Sequence, residues 1–191
     1  IAQTNNWFGN IYKDTNQVDS ALFYYHKALD YHTTNKDYYN MGIAQINMSS
    51  IFRISKQYEQ AISWAQISKT NFEKGNDKNG VGISLYRLSL AYYEMDSLGK
   101  AEETLLEAKT TFEELNDVYF LNNVYNMLGV ISNKKNNQEQ ALYYYTRVLK
   151  YCKETGQTGL LATALFNIAN TYYSDYKYDE ALACYFTVDS L

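Results

Sequence analysis

The stretch QVDSALFYYHKAL fills residues 17–29, and a near-copy, QEQALYYYTRVL, returns at residues 138–149. Within the first copy Ala21, Leu22, Tyr25, Ala28 and Leu29 stand at i, i+1, i+4, i+7 and i+8, one face of a 3.6-residue period. His26, Lys27 and Asp30 point the other way. Period-two alternation does not fit these letters, so the spacing predicts an amphipathic helix. Little interrupts such helices, because proline is absent and glycine is scarce outside short polar joints.

The recurrence is wider than these two copies. Ala21, Ala61, Ala101, Ala141 and Ala181 are separated by steps of 40 residues. Twelve residues before each alanine lies a small residue, Gly9, Ser49, Ser89, Gly129 or Ala169, and nine before it Tyr12, Phe52, Tyr92, Ser132 or Tyr172. Four after it come Tyr25, Ala65, Leu105, Tyr145 and Tyr185, and seven after it Ala28, Ser68, Ala108, Val148 and Val188. Five in-phase copies at this period signify one supersecondary unit stacked on itself.

The pattern small-x2-aromatic-x8-Ala-x3-large-x2-small resembles the tetratricopeptide repeat (TPR), and repeat one carries it in full as Gly9, Tyr12, Ala21, Tyr25 and Ala28. The resemblance covers essentially the whole chain. Two departures are a unit longer than the usual one of about 34 residues and the absence of its closing proline. HEAT and armadillo arrays share the unit length but not the small-aromatic-Ala phasing. The implied fold is all-α: a TPR-type α-α solenoid, a right-handed superhelix of five antiparallel helix pairs forming one domain over residues 1–191. Its repeats fall at about 1–36, 37–76, 77–116, 117–156 and 157–191. Residue 1 is Ile rather than Met, and Leu191 lies inside an amphipathic run, so the expectation is a fragment of a longer protein.

Each unit reads as a helix A followed by a helix B. The small residue on A is expected to face the alanine on B where the backbones approach most closely, with aromatics filling the wider gaps. The aromatics of ALFYY and ALYYY therefore read mostly as core. Asp37, Asp77 and Asp117 recur at the 40-residue step and read as N-caps of the second, third and fourth A helices. Gln157 takes the next such place, where Thr158 is expected to cap instead. Asn35, Gly75, Asn76, Asn116 and Gly156 mark the B-to-A joints, and Asn16, Lys56, Asp96, Asn136 and Tyr176 the A-to-B turns.

Several chemistries lack material. A net charge of -4 and a pI near 5.2 argue against nucleic-acid binding, which needs a surplus of Lys and Arg on some face. No apolar run is long enough to span a bilayer. His26 and His32 are six residues apart on one helix, so they face different ways and cannot jointly hold a metal as an i, i+4 pair could. With no third histidine an imidazole triad is unsupported, and Cys152 and Cys184 read as buried filler. Glu102, Glu103, Glu107, Glu113 and Glu114 read as a solvated face, the glycines of residues 76–82 as a turn, and the sequon at Asn47 as a coincidence within a helix. No enzyme, cofactor or metal site is expected.

What remains is a surface. In TPR arrays the A helices line the concave side, and carrying this over unit by unit implies a groove faced by Asn6, Asn10 and Lys13, then Asn47, Ser50 and Arg53. The third unit supplies Tyr86, Arg87 and Tyr93, the fourth Asn123, Asn126 and Asn133, and the fifth Phe166, Asn167, Asn170 and Tyr173. A side-chain amide donates and accepts at once, so a row of asparagines can grip an extended peptide backbone; the alternative is that they merely solvate the helices. The carboxylate clamp of chaperone-binding TPR proteins is not reproduced, because its two lysine places hold Asn6 and Ile83, although Lys13, Arg53 and Arg87 could attract one acidic group. Long-unit arrays of this kind are similar to asparagine-lined polarity adaptors, to Rap-like peptide-pheromone receptors, and to the TPR regions of Bacteroidetes signalling proteins, the last implying a periplasmic sensor or scaffold. The expected partner is a peptide or protein segment, with neither nucleic acid nor membrane engaged by this segment. Self-association as a homo-oligomer stays open beside it.

Overall fold

The computed structural model describes residues 2–190, which form ten α-helices and no strand. The A helices are α1 (Ala2–Asp14), α3 (Tyr38–Ile54), α5 (Lys78–Glu94), α7 (Val118–Lys134) and α9 (Thr158–Ser174). The B helices are α2 (Val18–Thr34), α4 (Tyr58–Lys74), α6 (Leu98–Leu115), α8 (Gln138–Thr155) and α10 (Tyr178–Asp189). This is the five-pair, all-α solenoid architecture that the 40-residue step implies. The helices group into two compact units, 1–116 with α1–α6 and 117–191 with α7–α10, and the division falls at the joint between repeats three and four.

The joints reveal a shorter period inside the repeat. Asn16, Lys36, Lys56, Asn76, Asp96, Asn116, Asn136, Gly156 and Tyr176 follow one another at 20-residue steps, all with φ between 53° and 69°. Each is the left-handed residue that ends a helix. At the first joint Gln17 N–H donates to Tyr12 C=O at 2.8 Å and Asn16 N–H to Lys13 C=O at 3.0 Å, the two-bond closure of a Schellman motif, and the same pair recurs at Lys56 and Asp96. The predicted A-to-B turn residues are thus the turning points themselves.

Asp37 and Asp117 accept the N–H of Asn40 and Phe120, each at 3.1 Å, and Asp77 that of Asn79, so all three expected caps are made. The expectation for Thr158 is corrected. Gln157 holds the N-cap position without a side-chain bond, and Thr158 is already the first helical residue, one place too late to cap.

In the first unit Ala21 and Tyr25 pack with Met48 and Ile51, and Ala65 with Ile46 and Leu88. In the second, Ala141 and Tyr145 pack with Ile168, and Val148 and Cys152 with Ala164. All five period alanines are buried. Their expected partners need refinement. Ser49 does meet Ala61, donating its hydroxyl to the alanine carbonyl at 2.7 Å, but Gly9 and Gly129 face aromatic rings. A Cβ on Gly9 would lie 2.5 Å from Tyr25 Cε1, and one on Gly129 2.4 Å from Tyr145 Cε1. The reading of ALFYY and ALYYY as mostly core holds for four of the six rings: Tyr25, Tyr144 and Tyr145 are buried and Tyr24 is half-buried, whereas Phe23 and Tyr143 are each 54 % exposed, since consecutive helical residues cannot share one face.

Candidate binding groove

Within the first unit α1 touches α3 and α3 touches α5, whereas α2 and α4, or α4 and α6, do not meet among the described residues. In the second unit α7 touches α9, and among the described residues α8 does not meet α10. A helices therefore crowd together while B helices splay, which sets the A helices on the inner side of each unit. Buried positions on α3 (Ala44, Gln45, Met48, Ser49, Ile51) leave Asn47, Ser50 and Arg53 half-buried on one stripe. On α5 the corresponding stripe carries Tyr86, Arg87 and Tyr93.

The predicted groove residues divide by what they touch. On α1, Asn6 is buried with its Oδ1 unpartnered, Asn10 accepts the Tyr25 hydroxyl at 2.7 Å, and Lys13 lies 3.9 Å from Asp14. On α3, Ser50 donates back to Ile46 C=O at 3.0 Å, Arg53 donates to the Glu94 carboxylate of α5, and the half-buried Asn47 side chain has no hydrogen-bond partner among the described residues. Arg87 stands 6.0 Å from the Tyr86 ring centroid and pairs with no carboxylate among the described residues. Burial lowers its pKa from the ordinary value; Tyr86 opposes that shift, and the positive charge of Arg53 adds to it. Tyr93 is half-buried beside them.

In the second unit the amides are engaged within the protein. Asn167 donates to Asn126 at 3.0 Å, Asn133 to the Thr171 hydroxyl at 2.7 Å, and Asn170 accepts the Tyr185 hydroxyl at 2.6 Å. Asn123 bonds its own helix at Tyr119 C=O, 3.3 Å away. Phe166 and Tyr173 stay exposed at 50 % and 60 %. Asn10 and Asn170 are thus equivalent in structure, each fixing the hydroxyl of the tyrosine four residues after its unit's alanine.

Sequence reasoning missed Glu94, the carboxylate that meets Arg53. The signal available was spacing: Arg53–Glu94 and Asn126–Asn167 both lie 41 residues apart, one repeat plus one residue, while Asn133–Thr171 spans 38. It also missed the buried polar ties Asn71–Gln45 at 2.8 Å and Ser68–Ser84 at 3.0 Å, which hold α4 to its neighbours. Two shallow crevices of the surface lie off this stripe, one over Phe72, Val81 and Thr111, another over Leu121, Tyr125 and Arg147. No described helix is long and apolar enough to cross a membrane.

Residues 2–31 and 161–185 each match a tetratricopeptide repeat family model, which supports the pattern identified in repeats one and five. No curated protein matches the chain in sequence. Among solved structures, BtubC (BKLC) from P. vanneervenii superposes with a TM-score of 0.88 at 16 % identity, over 98 % of this chain and 78 % of that one. A Podosopora anserina protein of nearly identical TPR-like repeats gives 0.81 at 12 % identity, over 98 % and 92 %. A Rap protein complexed with competence and sporulation factor gives 0.73 at 15 % identity, over 99 % and 64 %. At these identities the likeness is one of fold, a TPR-like helical repeat.

Proposed function

We propose that this chain is a non-enzymatic interaction module whose A-helix stripe holds an extended peptide or protein segment, as the sensing or scaffolding part of a bacterial regulatory protein. The observation that carries the reading is the half-buried polar stripe of α3 and α5, where Asn47 keeps both amide groups free for a ligand while its neighbours are already oriented. Such a stripe suits a peptide backbone, whose donors and acceptors alternate. The proposed face is the full predicted row: Asn6, Asn10, Lys13, Asn47, Ser50, Arg53, Tyr86, Arg87 and Tyr93 in the first unit, and Asn123, Asn126, Asn133, Phe166, Asn167, Asn170 and Tyr173 in the second. A Rap-like receptor role for a signalling factor is a special case of it, favoured by the fold shared with a Rap protein that was crystallised with such a factor.

The test is selection of binders from a displayed random peptide library, followed by affinity measurement. Asn47→Ala with Tyr93→Ala should weaken a selected peptide by at least about tenfold. Gln66→Ala with Thr70→Ala on the exposed face of α4 should leave it unchanged. Equal losses from both pairs, or none from the first, would overturn the groove reading.

A second reading, self-association, is favoured by the outer face of α1. Phe8 and Ile11 are 41 % and 56 % exposed, whereas Met48 and Ile51, their equivalents one repeat later, are at 0 % and 2 %. Sedimentation velocity across a concentration series separates the readings: a single monomeric species at all concentrations removes the second.

A further inference from the structure

Several rings on this surface carry one of the chain's own cations. Lys27 Nζ stands 4.4 Å from the centroid of Phe23 and the Arg147 guanidinium 5.1 Å from that of Tyr143, while Lys100 and Lys74 approach the half-buried Tyr92 and Tyr38 at 5.7 and 5.9 Å. Three tyrosines at the last A-to-B turn do not. Tyr173, Tyr176 and Tyr178 are 60 %, 79 % and 51 % exposed, and the Tyr178 ring meets Tyr173 at 5.5 Å and 64° and Tyr176 at 6.3 Å and 90°. Among the described residues no cation lies over any of them. Lys177 stands between two of them in sequence, but Asp175 holds its ammonium at 2.6 Å. Tyr176 is also the left-handed residue of its joint, with φ 60°, where Asn16, Lys56, Asp96 and Asn136 stand in the earlier repeats. A bulky ring is ill suited to that backbone conformation, and at this exposure it gains almost no packing in return.

The surroundings are acidic. Helix α9 has no charged residue, and α10 carries Asp179, Glu180 and Asp189 but no lysine or arginine. Asp179 and Glu180 lie in the first turn of α10, where the helix dipole favours carboxylates, and Asp179 pairs with no cation among the described residues. The Lys177 pKa is raised, first by its bond to Asp175, with Glu180 and Tyr172 adding to the effect. One internal cation thus stands among several carboxylates, and it is turned away from the rings.

We propose that Tyr173, Tyr176 and Tyr178 form a docking site for a positively charged side chain of a partner protein, a lysine ammonium or an arginine guanidinium seated on the tyrosine faces. The face of an aromatic ring is the negative pole of its quadrupole and attracts a cation within about 6 Å of the centroid. Rings set at 64° and 90° to Tyr178 cannot stack flat on it, so their faces stay open to solvent. A carbohydrate could also lie on such rings, but it would be indifferent to the carboxylates around them, whereas a cation is drawn in by them. The site shares Tyr173 with the proposed groove and does not depend on it, because Tyr176 and Tyr178 stand beyond the A-helix stripe, at the joint and on α10.

The probes are three acetylated and amidated Gly/Ser peptides of equal length, with a central pair of arginines, lysines or glutamines, and maltose as a neutral sugar. Ring signals of carbon-13-labelled tyrosine report the contact, with Tyr119 on α7, 58 % exposed and set against Phe120, as the control. The arginine or the lysine peptide should move the signals of Tyr173, Tyr176 and Tyr178 saturably while Tyr119 stays in place, and the stronger of the two identifies the side chain preferred. The glutamine peptide should move none. Tyr178→Leu should weaken the binding at least about fivefold, and Asp179→Asn with Glu180→Gln should weaken it about two- to threefold and reduce its dependence on salt. Tyr176→Asn separates binding from folding: an asparagine there, as at Asn16 and Asn136, should weaken binding at least about threefold while the melting temperature holds or rises. A lower melting temperature with unchanged binding assigns the ring to the fold and overturns the site. Equal movement with the glutamine peptide overturns the preference for charge, and movement with maltose alone makes the place a carbohydrate site. Parallel movement of Tyr119 means unspecific contact, and silence of the three tyrosines with both basic peptides overturns the proposal outright.

Discussion

In repeat one the fully buried aromatic is Tyr25, seated on Gly9; in repeats two and three it is Phe72 on Gly42 and Phe112 on Gly82. Relative to the period alanine, the ring has moved seven residues forward along B and its glycine seven residues back along A. Because A and B run antiparallel, both shifts lead toward the open end of the helix pair, by about 10 Å. Repeats one to four thus each set one ring against one glycine gap, but the gap can be placed at either of two heights. Where the ring leaves position 25, Ala65 or Leu105 replaces it, and where it stays, His32 or Cys152 fills the far place. The two heights also differ in polarity. Tyr25 reaches the stripe with its hydroxyl and bonds Asn10, whereas Phe72 is enclosed by Gly42 on α3 and Gly80 on α5.

The sharpest way to break this comparison is to empty the far nest. Phe72→Ala should destabilise the protein by about 3–5 kcal/mol, because the ring is held from two A helices and neither can collapse onto the void without moving backbone. Denaturant unfolding measures it, and a loss below about 1 kcal/mol would mean that Phe72 is no anchor. Filling the gap is the converse. A Cβ on Gly80 would lie 2.2 Å from Phe72 Cδ1 and 2.4 Å from Cγ, the rigid base of the ring. Gly80→Ala should therefore cost about 1–3 kcal/mol by overpacking, less the ~1 kcal/mol that alanine returns in helix propensity.

How much of this was legible in advance follows from what each feature demands of a side chain. The period alanine must be small, so five alanines announced five helix pairs and the caps at Asp37, Asp77 and Asp117 located the A helices. The 20-residue step of left-handed joints demands a backbone angle rather than a residue type, and Lys36, Lys56 and Tyr176 give no hint of it. The displaced ring was hidden because alanine at position 65 looks like a weak copy of the motif until Gly42 and Phe72 are read together. The stripe on the A helices was supplied as an expectation by the tetratricopeptide resemblance, unit by unit. Its bonding was not, since Arg53 meets Glu94 rather than Tyr93, its equivalent in the next repeat.

A smaller effect sharpens the polar contrast between the nests. Tyr25→Phe removes the hydroxyl that Asn10 accepts, and since Asn10 is half-buried and water can replace the donor, the cost should be about 0.5–1.5 kcal/mol. A cost above that range would show Asn10 to be sealed from solvent and unavailable to a ligand. The Asp37 cap gives a pH-dependent counterpart. Burial pushes its carboxyl pKa up, but the Asn40 side chain and N–H, with His32 at 3.1 Å, hold it below the ordinary value. A depressed folded pKa means that the stabilisation is complete above the unfolded value of about 3.9 and fades as pH falls through the folded one. Asp37→Asn should accordingly flatten the fall in melting temperature on acidification below about pH 4.

The smallest expected change compares the capped helices with α9. Gln157 occupies the place of Asp117 without capping, and its Nε2 instead donates to the Tyr151 hydroxyl at 3.0 Å. Gln157→Asp should install the cap, worth about 1 kcal/mol, and remove that amide bond, worth about 0.5–1 kcal/mol. The net gain is then a few tenths of a kcal/mol, whereas Asp117→Gln loses the cap without gaining the amide bond and should cost about 1 kcal/mol. Melting temperatures of the two reciprocal variants decide it. If Asp117→Gln costs nothing, the 40-residue recurrence of aspartate reflects solvation of the joints and not helix capping.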